Sequence, residues 1–315
     1  MTTELHQLLP RVIEICKEVG DFIEREMQNF SKGSVEYKTA NDLVSYVDRR
    51  SEILLCEALD KLHPGLGFET EEQQLIRKGT TRWIIDPLDG TTNFIHNLPS
   101  YAISVALMIE GEIQLGVVYE ITQQNVYSAV KHCNSCKNGK PIQVSSNTLF
   151  QNSLIATGFP ISDFETKNNY LQFLGTLMNQ TRGVRRLGAA AVDLCYTAEG
   201  KFDLFFEPQL KSWDVAAGAL IVEGAGGAVY DFKKTKNFGL PKGLFDGTPF
   251  PAQLFLWTLI LWGLLSWALL LVLKLFHGNS WTWSYSGSLW WYSFFYWLLT
   301  MPFQTLFEEL VFRYW

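Results

Sequence analysis

The sequence predicts an α/β protein of layered sheets and helices, followed by an apolar helical tail. Three observations carry this. An amphipathic helical pattern opens the chain, with Leu5, Leu8, Leu9, Val12, Ile13 and Cys16 on one face. Short apolar strands joined by tight turns then give way to alternating strands and helices. From about Gly247 the composition changes: nine of the eleven tryptophans lie from Trp257 onward, and the last 69 residues hold only Lys274, Glu308, Glu309 and Arg313 as charges.

The elements follow in order. Helical pattern covers 3–29 and 42–62, and "HPGLGF" breaks the second helix. "RWIID" (82–86) is a short buried strand, after which Pro87 turns the chain. "YAISVALMIEGEIQLGVVYEI" is two strands around a Glu110-Gly111 turn, and "NVYSAV" is a third before the "NGK" turn. "SLIATG" is another strand and 165–180 a helix. "GAAAVDLCYTAEG" is a helix closed by Gly200. "KFDLFF" is a strand, "WDVAAGALIVEGAG" a helix and "GAVYDF" a last strand.

Charge and composition narrow the function classes. The net charge of −6 argues against a nucleic-acid partner. The four charges of the tail cancel, so all of it belongs to the first 246 residues. Five scattered cysteines and an N-terminus without an apolar signal core point to a reducing compartment. Cys133 and Cys136 form a lone C-x-x-C, weak as a zinc signature. In the tail, 254–273 is twenty residues without a charge, matching the ~20 needed to span a bilayer. A second aromatic-rich uncharged stretch covers 288–307. Lys233, Lys234, Lys236 and Lys242 precede the first stretch, which places the preceding domain in the cytoplasm, tethered to the membrane. The domains read as 1–240 and 241–315.

The chemistry centres on "IIDPLDGTTNF" (84–94). Asp86 ends a strand, Asp89 follows three residues later, Gly90 permits close backbone approach, and Thr91 and Thr92 open a helical turn whose amides suit an anion. A hard divalent cation and a phosphate could meet there. Taken alone, Asp89 reads more simply as a helix cap. Other acids recur at the mouths of elements: Glu71 and Glu72 in "TEEQ", Asp214 in "SWDVAAGA", and Asp42 and Asp48, with Lys38, in "KTANDLVSYVD".

Residues 5–232 resemble the inositol monophosphatase family of magnesium-dependent sugar phosphatases, on "WIIDPLDGTTNFIHNLP" and "WDVAAGALIVEGAGGAVYDF" with "DLVSYVD" and "TEEQ" in order. The resemblance implies a five-layer α-β-α-β-α sandwich. It also implies two or three Mg²⁺ ions per site, possible homodimers, and hydrolysis of a small phosphorylated polyol, inositol 1-phosphate foremost. A 3′-phosphoadenosine 5′-phosphate, fructose bisphosphate or histidinol phosphate phosphatase is the alternative. A silent membrane-tethered module is the non-enzymatic one. By the resemblance, Glu71, Asp86 and the Leu88 carbonyl hold a first metal, and Asp86, Asp89 and Asp214 a second. Glu71 and Thr91 activate water. The amides of Gly90 and Thr91 hold phosphate, Glu207 meets a substrate hydroxyl, and Gly188, Ala189 and Ala190 form the substrate loop. Lys38, Asp42, Asp48 and Glu72 fall in a mobile or supporting shell, and His96 in the pocket wall.

Two departures stand out. Ala189 replaces the family's usual Ser or Thr. After about Lys233 the family's final strand and helix fade into the tail, where "PFQTLFEELVFRYW" resembles the first motif of CAAX-protease-like membrane metalloproteases through Glu308, Glu309 and Arg313. That second resemblance is short and implies no protease activity. It suggests two reading frames joined near residue 240.

Overall fold

The computed structural model describes residues 2–29, 35–39, 42–159 and 164–230. The chain divides into the units Met1–Asp246 and Gly247–Trp315. The expected last strand, "GAVYDF" (227–232), is not formed over its described part, since residues 227–230 are neither strand nor helix. Asp231 and Phe232, the stretches 254–273 and 288–307, and Glu308, Glu309 and Arg313 lie outside the described residues. Among the described residues no helix is long and apolar enough to cross a membrane.

The first helix, α1 (Thr2–Asn29), forms as its periodicity predicts. The expected helix 42–62 is in fact two elements. Val35–Thr39 (β1) and Asp42–Ser45 (β2) pair antiparallel, and α2 (Tyr46–Leu62) starts only after Ser45. The reason is local: Ser45, extended at φ −121, ψ 168, accepts from the Val47 amide, while its own amide donates to Asp48. This capping box fixes the helix start.

Seven strands form the main sheet in the order β3-β4-β5-β6-β7-β8-β9. They are β3 (Gly67–Thr70), β4 (Arg82–Asp89), β5 (Ala102–Ile109), β6 (Glu112–Glu120), β7 (Asn125–Val130), β8 (Cys136–Lys137) and β9 (Lys140–Pro141). Strand β3 pairs parallel with β4; each later pair is antiparallel. The β5–β6 turn places Glu110 at φ 50 and Gly111 at φ 84, both left-handed as a two-residue hairpin loop demands.

Alternation along the strands builds two cores. Trp83, Ile85, Ile103, Val105 and Leu107 face α1 and α2; Ile84, Ala102, Ala106 and Met108 face the other way. There they meet α5 (Ala190–Ala198) and α6 (Ser212–Gly224). Beyond those helices a parallel three-stranded sheet runs β11-β10-β12, from Leu154–Thr157 (β10), Gly183–Arg185 (β11) and Leu204–Phe206 (β12). Helix α4 (Phe164–Gln180) contacts β11. The layers therefore read helix pair, sheet, helix pair, sheet, helix.

Pro87 does not end β4. The strand continues to Asp89, and its pairing with β5 jumps from Asp86↔Ser104 to Asp89↔Ala102. Pro87 and Leu88 thus stand opposite the single residue Ile103, a β-bulge. Residues three apart on a regular strand face opposite sides. The extra bulge residue restores parity, so Asp86 and Asp89 share the face of Ser104 and Ala102, toward α5 and α6.

Candidate metal and phosphate site

The bulge delivers two carboxylates to one side, and other elements add two more. The amide of Glu71 donates to the Ile85 carbonyl at 3.2 Å, which places Glu71 just past β3 and beside Asp86. Asp214 enters from the first turn of α6. Asp86 is 2% exposed. Burial first, then Glu71, Asp89 and Asp214 in that order, hold its carboxyl well above the ordinary range. Asp89 is likewise raised by burial and by Asp214. Burial pushes Asp214 up to about 6, against the Lys211 amide and ammonium that lower it. Four acids from three segments thus share one desolvated volume and repel one another, an arrangement that a divalent cation relieves.

The side chains also satisfy local partners. Asp89 Oδ2 accepts from the Ala191 amide at 2.7 Å, Asp86 Oδ1 from the Leu88 amide at 3.0 Å, and Asp214 from the Lys211 amide. Among the described residues, as their side chains stand, no three His, Cys, Asp or Glu form a finished metal-holding group. The fit to a cation lies in the charge, burial and mutual proximity of the donors.

A cleft of about 740 Å³ opens over this cluster, lined by Glu71, Glu72, Asp89, Gly188, Ala190, Glu207 and Asp214. Asp86, Leu88 and Ala189 are buried behind its wall. Gly90 ends the bulged strand at φ 91 and caps α3 (Thr91–Ile95); a Cβ there would stand 2.9 Å from the Ser100 carbonyl and 3.2 Å from the Ala189 Cβ. Asn93 Nδ2 donates to the carbonyls of Ser100 and Leu187 at 2.7 and 2.8 Å, tying α3 to the Gly188–Ala190 loop.

Asp48 proves closer to the chemistry than its sequence position suggests. The Thr91 hydroxyl donates to Asp48 Oδ1 at 2.8 Å and approaches the Leu88 carbonyl at 3.1 Å. The same carboxylate caps α2 through Oδ2, so it links the start of α2 to Thr91. Lys38 and Asp42 sit on β1 and β2, and their side chains lie outside the described residues. His96 is exposed after α3 and does not line the cleft, contrary to expectation.

Sequence reasoning passed over Asn93, Arg186, Phe159 and Asp193. Arg186 and Phe159 line the cleft, the guanidinium 5.7 Å from the ring centroid. Glu207 rises to about 7 through burial, opposed by Arg186. A Cβ on Gly158 would fall 1.8 Å from the Glu207 carboxyl carbon, so the backbone there makes room for that acid. Asn93 lies within "IIDPLDGTTNF" but reads there as an ordinary polar residue, and the other three stand outside the two long motif segments; their proximity in space reveals them.

Ala189 occupies the N-cap of α5 at φ −144, ψ 108 without a side-chain cap. Asp89 already accepts from the Ala191 amide, so Ala189→Ser adds an acceptor only for the next amide, that of Val192. A rise of about 0.5 kcal/mol in unfolding free energy, the low end for a cap, is expected by urea denaturation. An unchanged midpoint would mean that the added hydroxyl does not cap α5.

Comparison with known proteins agrees with this architecture. A profile described as "Inositol monophosphatase family" matches residues 4–253, beyond residue 232 where the motifs fade. A putative Nus factor SuhB of Neisseria meningitidis serogroup B is 42% identical over 229 residues, 72% of this chain and 88% of that protein. The crystal structure of extragenic suppressor protein suhB from Bartonella henselae superposes with a TM-score of 0.69 at 35% identity, covering 73% of this chain and 90% of that one. Inositol monophosphatase from Anabaena gives 0.65 at 30% identity, covering 73% and 86%. With the profile spanning most of the chain and its fold shared by these structures, the chain belongs to the inositol monophosphatase family.

Proposed function

We propose that this protein is an Mg²⁺-dependent phosphatase that hydrolyses a small phosphate monoester, inositol 1-phosphate foremost, to the alcohol and inorganic phosphate. The observation that carries the reading is the convergence of Glu71, Asp86, Asp89 and Asp214, from three segments, on one cleft. Glu71, Asp86, the Leu88 carbonyl, Asp89 and Asp214 would hold the cations. When bound, Mg²⁺ neutralises phosphoryl charge and acidifies nearby water.

The chain's own groups divide the remaining work. The amides of Gly90 and Thr91 orient the phosphate at the start of α3. Glu71 orients the attacking water. Thr91 passes its hydroxyl proton toward Asp48, which leaves the Thr91 oxygen able to accept one from that water. Burial raises the Asp48 carboxyl, which favours its holding the proton. Glu207 meets a hydroxyl of the polyol, and the Gly188, Ala189 and Ala190 loop forms the wall behind it.

The test is phosphate release from inositol 1-phosphate by the full chain, with and without Mg²⁺. Release that requires Mg²⁺ is expected. No release from this ester, from 3′-phosphoadenosine 5′-phosphate or from fructose bisphosphate would overturn the reading. The name Nus factor, carried by relatives such as the Neisseria protein, supports a second one, a Nus-factor role for this domain. An in vivo phenotype of the gene deletion that a catalytically dead variant still complements would favour it.

A further inference from the structure

Glu52 stands on α2 with no exposed surface, and the chemistry above gives it no part. Three donors meet its carboxylate. Thr70 Oγ1 and the Gln74 amide reach Oε1 at 2.8 and 2.6 Å, and the Glu72 amide reaches Oε2 at 2.7 Å. These donors bracket Glu71, one before it and two after. Gln73 lies at φ 53, in the left-handed region, and the amides on either side of it turn toward the same anion. Such a concave pair of amides is an anion nest, here filled by a side chain of the protein itself. From the opposite side the Glu71 amide donates to Ile85 of β4. The turn that carries Glu71 is therefore gripped between α2 and the bulged strand.

We propose that Glu52 is a positioning residue that sets the divalent-cation affinity of the cleft by holding the 70–74 turn with Glu71 facing Asp86. The proposal rests on the reading of Glu71 as a cation ligand. Hydrogen bonds to an ionised acceptor are strong and directional, so this carboxylate fixes the turn more firmly than a neutral group would. A buried acid that merely filled the core would need no such register. In Glu52→Gln, the Oε1 position keeps its two donors, but an NH₂ group replaces Oε2 and opposes the Glu72 amide, donor against donor. The volume stays the same while one side of the nest opens next to Glu71.

The experiment is calorimetric titration of the full chain with MgCl₂, alongside melting temperatures. Glu52→Gln should weaken Mg²⁺ binding by about ten- to a hundredfold, the range for losing an outer-shell partner. Thr70→Val, which removes one donor at almost constant shape, should weaken it in the same direction by a smaller factor. Leu55→Ala, a fully buried change on the same helix, should lower the melting temperature and leave Mg²⁺ affinity unchanged. Wild-type affinity in both Glu52→Gln and Thr70→Val would overturn the proposal. So would an equal loss in Leu55→Ala. Should Glu52→Gln fail to fold, Thr70→Val carries the test. Glu71→Gln separates the two levels: if it binds Mg²⁺ like the wild type, the ligand assignment fails; if it alone binds weakly, only the role of Glu52 fails.

Discussion

Asp89→Asn is expected to lower Mg²⁺-dependent phosphate release by more than the roughly 10- to 100-fold that loss of an outer-shell partner costs. The substitution is nearly isosteric, and the Asn oxygen can still accept from the Ala191 amide. What disappears is one negative charge in the cluster proposed to hold the cations. The same change should not destabilise the chelated protein. Burial and Asp214 already raise the Asp89 carboxyl, so its ionised form is a cost to the native state near neutrality. A melting temperature in EDTA equal to or above wild type, together with collapsed turnover, is the expected pair of results. Wild-type turnover would remove Asp89 from the mechanism. A collapsed melting temperature would show that the carboxylate is structural.

Asp193→Asn should flatten the dependence of stability on pH. Asp193 is 1% exposed in the first turn of α5, and its Oδ1 has no hydrogen-bond partner among the described residues. Burial, then Glu207, raise its carboxyl from 3.8 to about 8, while Arg186 opposes the shift. In the unfolded chain the acid ionises near 3.8, whereas in the folded chain it keeps its proton to about 8. Its contribution is therefore complete below pH 4 and is lost as the pH climbs toward 8. A folded value raised by several units corresponds to an effect on the order of a few kcal/mol across that window. Urea denaturation at pH 5 and pH 8 reads it: the wild type should lose stability relative to Asp193→Asn as the pH rises. Parallel losses in both proteins would show that the acid ionises in the folded state as it does in the unfolded one.

Both predictions concern groups that the sequence displays unequally. Asp89 announces itself in "DPLDGTTNF", where a proline, a glycine and two threonines crowd around paired acids. Asp193 lies in an apolar helical repeat and looks like an ordinary first-turn acid. The resemblance implied a shared role for Thr91 and Glu71, but the carboxylate that receives the Thr91 hydroxyl is Asp48, 43 residues earlier in the chain. A sequence of local motifs cannot state such a pairing, because the contact is made by packing α2 against the main sheet.

What the amino-acid order determined by itself was local. The 3.6-residue period of α1, the apolar runs of β5 and β6 and the turn at Glu110-Gly111 depend on neighbours a few positions apart. So does the inventory of acids at the ends of elements. What only the tertiary structure decided was parity and proximity. Pairing with β5 turned the expected stop at Pro87 into a bulge, and that single extra residue swung Asp86 and Asp89 onto one face. Pairing of β1 with β2 took four residues from the expected second helix. Packing of α2 buried Glu52 under the turn that bears Glu71. The physical reason is the same throughout: backbone dihedrals and side-chain periodicity are set within one element, whereas strand register and helix packing are settled by partners on another element.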